Sequence, residues 1–244
     1  MLIHVLIFPF AASLQQPLTR RAVLFDADGT LLNSLPPHVD FVHTMNDELE
    51  LGLSLPSRDD LAASRLIAAA PMANFFRRAN FPESAIAACV EAYEGRFAAE
   101  CKVAPFDGVE PLLSRLSDLR VPCAVVSSNT AHNVRRGLGD SARFLDFILG
   151  IDNAPADKAE AIAVALDRLE LEPVDAIYVG DTRKDFDKAS AAGVAFLGVD
   201  FGFEALHSDG LCAPVALSVG ELGSLLAAEL QLDLSSDTLG VGES

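Results

Sequence analysis

The chain has 244 residues, 50% of them hydrophobic, and a formal net charge of −17 from 35 acidic and 18 basic residues. This length can form one large domain, or one domain with an insert, around a full hydrophobic core. The acidic excess argues against a nucleic-acid-binding surface, because phosphate backbones are bound by fields of Lys and Arg, but it leaves small anionic substrates open.

Residues 1–20 open with an apolar stretch of roughly signal-peptide length. It has no Lys or Arg before the apolar run, and Pro9 interrupts it. We therefore favour an extra N-terminal strand, or a start codon placed too far upstream, over export. No other stretch reaches the ~18 apolar residues of a bilayer span, so no membrane partner is expected. The four cysteines include no CxxC pair, which favours a reduced, cytoplasmic protein.

The first chemical motif is the run VLFDADGT, in which an apolar strand ends in Asp26 and Asp28. Side chains two apart in an extended segment point the same way, so both carboxylates can face one small volume. Two close like charges need a cation between them or a shared proton, and Mg²⁺ is the obvious cation. Gly29 allows a sharp turn, and the Thr30 hydroxyl can bond back to a carboxylate. The structural alternative to a reaction centre is an ordinary Asp-Gly turn.

Residues 35–103 contain no convincing strand and predict a helical insert. Helical spacing covers residues 37–51, a segment rich in Ala, Leu and Phe covers 61–79, and Pro82 opens a helix that runs to about residue 101.

Beyond residue 104 the pattern changes to strands that alternate with helices. The predicted helices lie within 105–119, 157–171 and 183–193, and the predicted strands within 121–129, 144–152, 174–181 and 194–200. This alternation is typical of a parallel, doubly wound sheet. The tail after Leu232 is expected to be frayed.

Polar side chains follow several of these strands. Ser127 and Ser128 follow the strand CAVV, Lys158 opens a helix, and Asp181 and Asp185 follow the strand AIYVG. The carboxyl ends of parallel strands share one edge, so we expect these residues to converge with Asp26 and Asp28. Such a set suits phosphoryl transfer, since carboxylates hold a metal while Lys and hydroxyl groups hold phosphoryl oxygens.

Each of these signals has a structural alternative when it is taken alone. Ser127 and Ser128 fit a polar loop, Lys158 fits a solvated helix charge, and the acidic pair fits the macrodipole at a helix N-terminus. Their joint occurrence, in order and each at a strand end, favours a reaction centre.

In this order, Asp26-Ala-Asp28-Gly-Thr30, Ser127, Lys158 and Gly180-Asp181 with Asp185 resemble the four motifs of the haloacid dehalogenase-like (HAD) superfamily. The resemblance runs from about residue 21 to residue 230. It implies an α/β fold, with a Rossmann-like parallel sheet core formed by residues 1–34 and 104–244. Residues 35–103 would be an inserted helical C1 cap domain.

The resemblance also implies roles for individual residues. Asp26 would be the nucleophile that forms an aspartyl-phosphate, and Asp28 the general acid and then the base. Mg²⁺ would be held by Asp26, Asp181, Asp185 and the backbone carbonyl of Asp28. Alternatively, Asp185 would support Lys158. The phosphoryl group would be bound by Ser127, Ser128, Lys158 and Thr30.

The family's dehalogenases lack an aspartate at the position of Asp28, so dehalogenation is not expected. The sequence most resembles phosphoglycolate phosphatase-like hydrolases. It predicts a Mg²⁺-dependent phosphatase, monomeric or homodimeric, acting on a small phosphorylated metabolite that is phosphoglycolate-like or a sugar phosphate. The alternative is a β-phosphoglucomutase-like phosphomutase, because sugar-phosphate mutases of the family resemble this chain in carrying a histidine near His38. A hinge hydrogen bond also accounts for His38, and a non-catalytic binding protein is disfavoured because no motif residue is missing.

Overall fold

The computed structural model describes residues 21–57, 59–208 and 210–232. The expectations for residues 1–20 and for the tail after Leu232 lie outside the described residues. The described strands are β1 Ala22–Phe25, β2 Cys123–Val126, β3 Phe147–Leu149, β4 Ala176–Gly180, β5 Ala195–Val199 and β6 Val215–Ala216. They form one parallel sheet of order β3-β2-β1-β4-β5-β6, which confirms the predicted α/β class.

Strand β1 lies at the point where the strand order reverses. It pairs with β2 on one side, where Phe25 is opposite Val125, and with β4 on the other, where Phe25 is opposite Val179. The crevice at the carboxyl end of such a strand is the usual ligand site of open α/β sheets. Asp26 is the next residue, and its backbone N–H donates to the Val179 carbonyl at 2.8 Å.

Alternate residues of β1 point to opposite faces of the sheet, and helices cover both faces. Val23 and Phe25 belong to one buried apolar cluster, and Leu24 belongs to another. The helices are α1 Leu35–Glu48, α2 Leu61–Ile67, α3 Met72–Arg78, α4 Glu83–Glu100, α5 Val109–Asp118, α6 Ala131–Leu138, α7 Lys158–Arg168, α8 Arg183–Ala191 and α9 Val219–Leu230. Helices α5, α6 and α9 pack in the first cluster, and α7 and α8 pack in the second.

Helices α1 to α4 build a third hydrophobic cluster of their own, with Phe41, Phe75 and Phe76 among its buried side chains. The predicted helical segment 61–79 is two helices, because Pro71 cannot donate the N–H that a continuous helix needs. The two chain crossings into this unit lie side by side, as Asn33 N–H donates to the Ala104 carbonyl at 2.9 Å. We propose that residues 35–103 form a separate cap domain.

The structure adds elements that the sequence patterns did not predict, namely α6, α9 and β6. Helix α9 buries Leu222, Leu226 and Leu230, whose spacing of four is a helical signal. In the described part of the chain, no helix combines the length and the apolar character of a membrane span.

Candidate active site

A buried lysine joins the ends of three elements. Lys158, the first residue of α7, lies with its Nζ 2.8 Å from Asp26 Oδ1 and 2.6 Å from Asp185 Oδ1. Asp26 follows β1, and Asp185 lies in the first turn of α8. The structure therefore brings these three predicted residues together at the carboxyl edge of the sheet.

The acidic side chains of the site form a compact set of oxygen donors. Asp26, Asp181 and Asp185 are all buried, and each offers a carboxylate oxygen within 4.8 Å of the others. Burial raises the pKa of Asp26 to about 7, against the opposing charge of Lys158. Burial, followed by repulsion from Asp185 and Asp26, also raises the pKa of Asp181. The single ammonium of Lys158 does not balance the negative charge of three carboxylates. The donor set therefore fits a hard divalent cation such as Mg²⁺.

Asp181 is enclosed by backbone as well as by side chains. Its Oδ2 accepts the Phe203 N–H at 2.7 Å, and its Oδ1 lies 3.4 Å from the Thr30 hydroxyl. A Cβ on Gly29, whose φ is +81°, would lie 2.0 Å from Asp181 Oδ2, and a Cβ on Gly202 would lie 2.3 Å from the same oxygen. Only glycine permits this close approach of two loops to the carboxylate.

Both oxygens of Asp185 are engaged by the protein. Oδ1 accepts from Lys158, while Oδ2 accepts from the Thr182 hydroxyl at 2.5 Å and the Thr182 N–H at 3.1 Å. The contact with the Thr182 N–H belongs to a capping box at the start of α8, in which the Asp185 N–H also donates to the Thr182 hydroxyl at 3.2 Å. This geometry favours the role in which Asp185 supports Lys158 over direct ligation of a metal.

The loop after β2 contacts Asp28 through an amide. Asn129 Nδ2–H donates to Asp28 Oδ2 at 2.9 Å, and the buried Ser127 hydroxyl accepts the Asn129 N–H at 3.0 Å. Ser128 is exposed. The sequence pattern did not single out Asn129 as a site residue, although a third polar residue soon after the apolar strand was the available signal. The phosphate-binding roles of Ser127, Ser128 and Thr30 stay predictions, as does the metal-binding role of the Asp28 carbonyl.

His38 is buried where α1 leaves the core. Its Nδ1 lies 2.5 Å from the Ser34 carbonyl and its Nε2 lies 2.9 Å from the Tyr93 hydroxyl. A carbonyl only accepts, so Nδ1 carries the proton and Nε2 accepts the Tyr93 O–H. Burial lowers the pKa of His38, although the charge of Asp28 opposes this. A neutral histidine with both nitrogens engaged fits a hinge hydrogen bond.

Sequence and structure comparisons show which known proteins the chain is similar to. A family model described as haloacid dehalogenase-like hydrolase matches residues 23–199. The chain is 34% identical over 189 residues to the tyrosine-protein kinase PtkA of Mycobacterium tuberculosis, which covers 74% of this chain but only 62% of the kinase. It is 30% identical over 202 residues to a phosphoglycolate phosphatase of Xanthomonas campestris, covering 78% of this chain and 88% of that enzyme. The crystal structure of a predicted phosphatase from Clostridium acetobutylicum matches with a TM-score of 0.68 and 27% identity, over 86% of this chain and 99% of that one.

Proposed function

The chain belongs to the haloacid dehalogenase-like hydrolase family, and from this premise we propose that it is a Mg²⁺-dependent phosphatase that hydrolyses a small phosphomonoester. The observation that carries the proposal is the buried contact between Lys158 and Asp26, 2.8 Å from Nζ to Oδ1, beside Asp181 and Asp185. A carboxylate nucleophile, a cation for phosphoryl oxygens and further carboxylates for a hard metal ion are the parts that phosphoryl transfer requires.

The proposed reaction runs in two displacements at phosphorus. An oxygen of Asp26 attacks the phosphorus and forms an aspartyl-phosphate, while Asp28 gives a proton to the leaving oxygen. Asp28 then takes a proton from water as that water attacks the phosphorus, which releases inorganic phosphate and restores the Asp26 carboxylate. Asn129 orients Asp28 through its 2.9 Å hydrogen bond. Lys158 balances the charge of the phosphoryl oxygens.

The carboxylates of the site would hold the metal. When bound to Asp26, Asp181 and the Asp28 carbonyl, Mg²⁺ would supply positive charge to the phosphoryl oxygens. Asp185 keeps Lys158 in place through the 2.6 Å contact with Nζ.

The cap arginines bear on the choice between a phosphoglycolate-like substrate and a sugar phosphate. A substrate carboxylate is normally held by such cations. The arginines of residues 35–103 that the structure describes all donate to protein acceptors: Arg65 to the Asp200 and Gly202 carbonyls, Arg77 to Glu83, Arg78 to the Ala68 carbonyl, and Arg96 to Glu48 and Glu100. Arg58 lies outside the described residues. These contacts favour a substrate whose non-phosphate part is uncharged.

Two other phosphoryl-transfer activities compete with hydrolysis. A phosphomutase is disfavoured, because both nitrogens of His38 are held within the protein. Transfer to tyrosine is a second candidate, favoured by the 34% identity to PtkA. The chain has two tyrosines, and the hydroxyl groups of Tyr93 and Tyr178 are hydrogen-bonded to His38 and to the Val126 carbonyl. An acceptor tyrosine would therefore lie on another protein.

One screen separates the three activities. Phosphorylated metabolites, including phosphoglycolate and sugar phosphates, are incubated with the protein and Mg²⁺, and inorganic phosphate is followed. Phosphate release without a bisphosphate activator supports hydrolysis. Sugar-phosphate isomerisation by NMR with hydrolysis at least about a hundredfold slower supports the mutase, and phosphotyrosine formed from ATP and a tyrosine peptide supports the kinase. Absence of all three with a well-folded protein would overturn an enzymatic role.

The four cysteines bear on the cellular setting of the protein. Cys89, Cys101, Cys123 and Cys212 are free thiols, which supports a reducing, cytoplasmic location. We place the protein there as a monomer or homodimer that acts on a small phosphorylated metabolite.

A further inference from the structure

An arginine of the cap donates hydrogen bonds to a loop of the core. Arg65 lies in the last turn of α2, and its Nε–H donates to the Gly202 carbonyl at 2.9 Å. A second nitrogen of the same guanidinium donates to the Asp200 carbonyl. Both acceptors lie in the loop that follows β5. A planar fork that binds two carbonyls fixes the direction of that loop as well as its distance from the cap.

The same loop orients Asp181. The N–H of Phe203, the residue after Gly202, donates to Asp181 Oδ2 at 2.7 Å. The Gly202 backbone is so close that a Cβ there would lie 2.3 Å from Asp181 Oδ2. Because this N–H holds Oδ2 while the Thr30 hydroxyl lies 3.4 Å from Oδ1, the orientation of the Asp181 carboxylate depends in part on the loop.

The cap holds this loop at a second point. The Phe203 ring packs against the hydrophobic cluster of the cap, and its centroid lies 5.9 Å from that of His38. Withdrawal of the cap would therefore remove both the Arg65 hydrogen bonds and the packing of Phe203. The Phe203 N–H would then lose its fixed place against Asp181.

We propose that Arg65 is a positioning residue that couples docking of the cap to the metal-binding geometry of Asp181. The docked cap then binds Mg²⁺ more tightly than the undocked cap, and by linkage Mg²⁺ favours docking. Docking of the cap and binding of the metal thus favour each other. This inference rests on the proposed magnesium-dependent function.

The test compares Arg65→Met with a matched control, Arg96→Met, in the full chain. Arg96 is also a cap arginine, but it contacts only Glu48 and Glu100 in the contacts described, both within the cap. Mg²⁺ binding is measured by isothermal titration calorimetry. We expect Arg65→Met to weaken the Kd about tenfold, a typical coupling between sites, and Arg96→Met to leave it unchanged. Arg65→Lys keeps the charge but not the fork, and it should restore part of the affinity.

A second readout needs neither metal nor substrate. Hydrogen exchange of the Phe203 amide should be faster in Arg65→Met than in the wild type, while exchange in β1 and β4 stays unchanged. In Arg96→Met the Phe203 amide should exchange at the wild-type rate.

The outcomes are distinguishable. Wild-type Mg²⁺ affinity in folded Arg65→Met, or equal weakening in Arg96→Met, overturns the coupling and leaves the proposed function standing. If the wild type binds no Mg²⁺, the magnesium site of the proposed function and the coupling both fall, while hydrogen exchange still decides whether Arg65 holds the loop. Should Arg65→Met fail to fold, Arg65→Lys against Arg96→Lys gives the same comparison.

Discussion

Lys158 and Asp26 form an ion pair of 2.8 Å in which each side chain is only 9% exposed. The same ammonium contacts Asp185, so one cation serves two carboxylates. Burial opposes the charge of the lysine, but Asp26 and the other anionic neighbours outweigh it and hold the pKa of Lys158 well above its usual value. Lys158 therefore stays charged at neutral pH, in reach of a phosphoryl group on Asp26.

Replacing Lys158 by Met should lower both stability and activity. Removal of the cation of this buried cluster costs about 3–5 kcal/mol, because Asp26 and Asp185 are left uncompensated. We expect a lower Tm and a fall in kcat/KM of about a thousandfold, measured by phosphate release. The control is Lys188→Met, which breaks a partly exposed pair with Asp157 and should leave kcat/KM unchanged. More than a tenth of the wild-type kcat/KM in Lys158→Met would rule out its proposed role.

Asp26→Asn should remove turnover without unfolding the protein. Uncatalysed phosphomonoester hydrolysis requires up to ~10²¹-fold acceleration, so loss of the covalent route leaves almost nothing to measure. Asp187→Asn, an exposed acid on α8, is the control with normal turnover. Retention of more than about a hundredth of the rate would contradict the nucleophile assignment.

The same substitution should stabilise the metal-free protein at high pH. The pKa of Asp26 is raised to about 7 in the fold, from an ordinary value of 3.8. A raised carboxyl pKa favours the fold at low pH, and this stabilisation is lost as the pH rises through about 7. The Tm of Asp26→Asn in EDTA should therefore exceed that of the wild type at pH 8, with a smaller difference at pH 5. A lower Tm at pH 8 would show that the cost of burying the Asp26 charge does not outweigh its attraction to Lys158.

Mg²⁺ binding should strengthen as the pH rises. The metal needs ionised carboxylates, so a pKa of about 7 at Asp26 predicts an affinity that falls roughly tenfold per pH unit below 7. Calorimetric titration with MgCl₂ between pH 5.5 and pH 8 measures this. EDTA should abolish activity, Mg²⁺ should restore it, and Ca²⁺, with its longer and looser coordination, should inhibit. Full activity in metal-free protein would exclude the metal role of Asp181.

Asn129→Ala should lower kcat with little change in KM. The amide donates to Asp28 at 2.9 Å, and a hydrogen bond to a charged group contributes about 1.5–3 kcal/mol, or roughly 10- to 150-fold in rate. Steady-state kinetics on the best substrate of the screen measures the effect. Asn74→Ala, an exposed position of the cap, is the control, and a wild-type kcat in Asn129→Ala would show that Asp28 needs no such support.

The secondary structure could be predicted wherever local patterns were strong. Helices α4 and α7 and the central strands lie within the predicted segments, because periodicity and Pro or Asp at helix starts are local signals. Helix α1 begins at Leu35, two residues before its predicted segment of 37–51. Strand β6 has only two residues, Val215–Ala216, which is too short to carry a period. Its pairing with β5 depends on the sheet that is already in place.

The sequence by itself determined which chemical groups the candidate site contains. Asp26, Lys158, Asp181 and Asp185 each follow or open a regular element, and parallel strands bring such positions to one edge. Tertiary structure alone decided how these groups are held. Asn129 reaches Asp28 across 101 positions, Arg65 reaches the Gly202 carbonyl across 137, and the Phe203 N–H orients Asp181. Backbone N–H and carbonyl groups are nearly the same in every residue, so the sequence does not show which side chains they bind. These partners, like the distant side-chain contact of Asn129, follow only from the path of the folded chain.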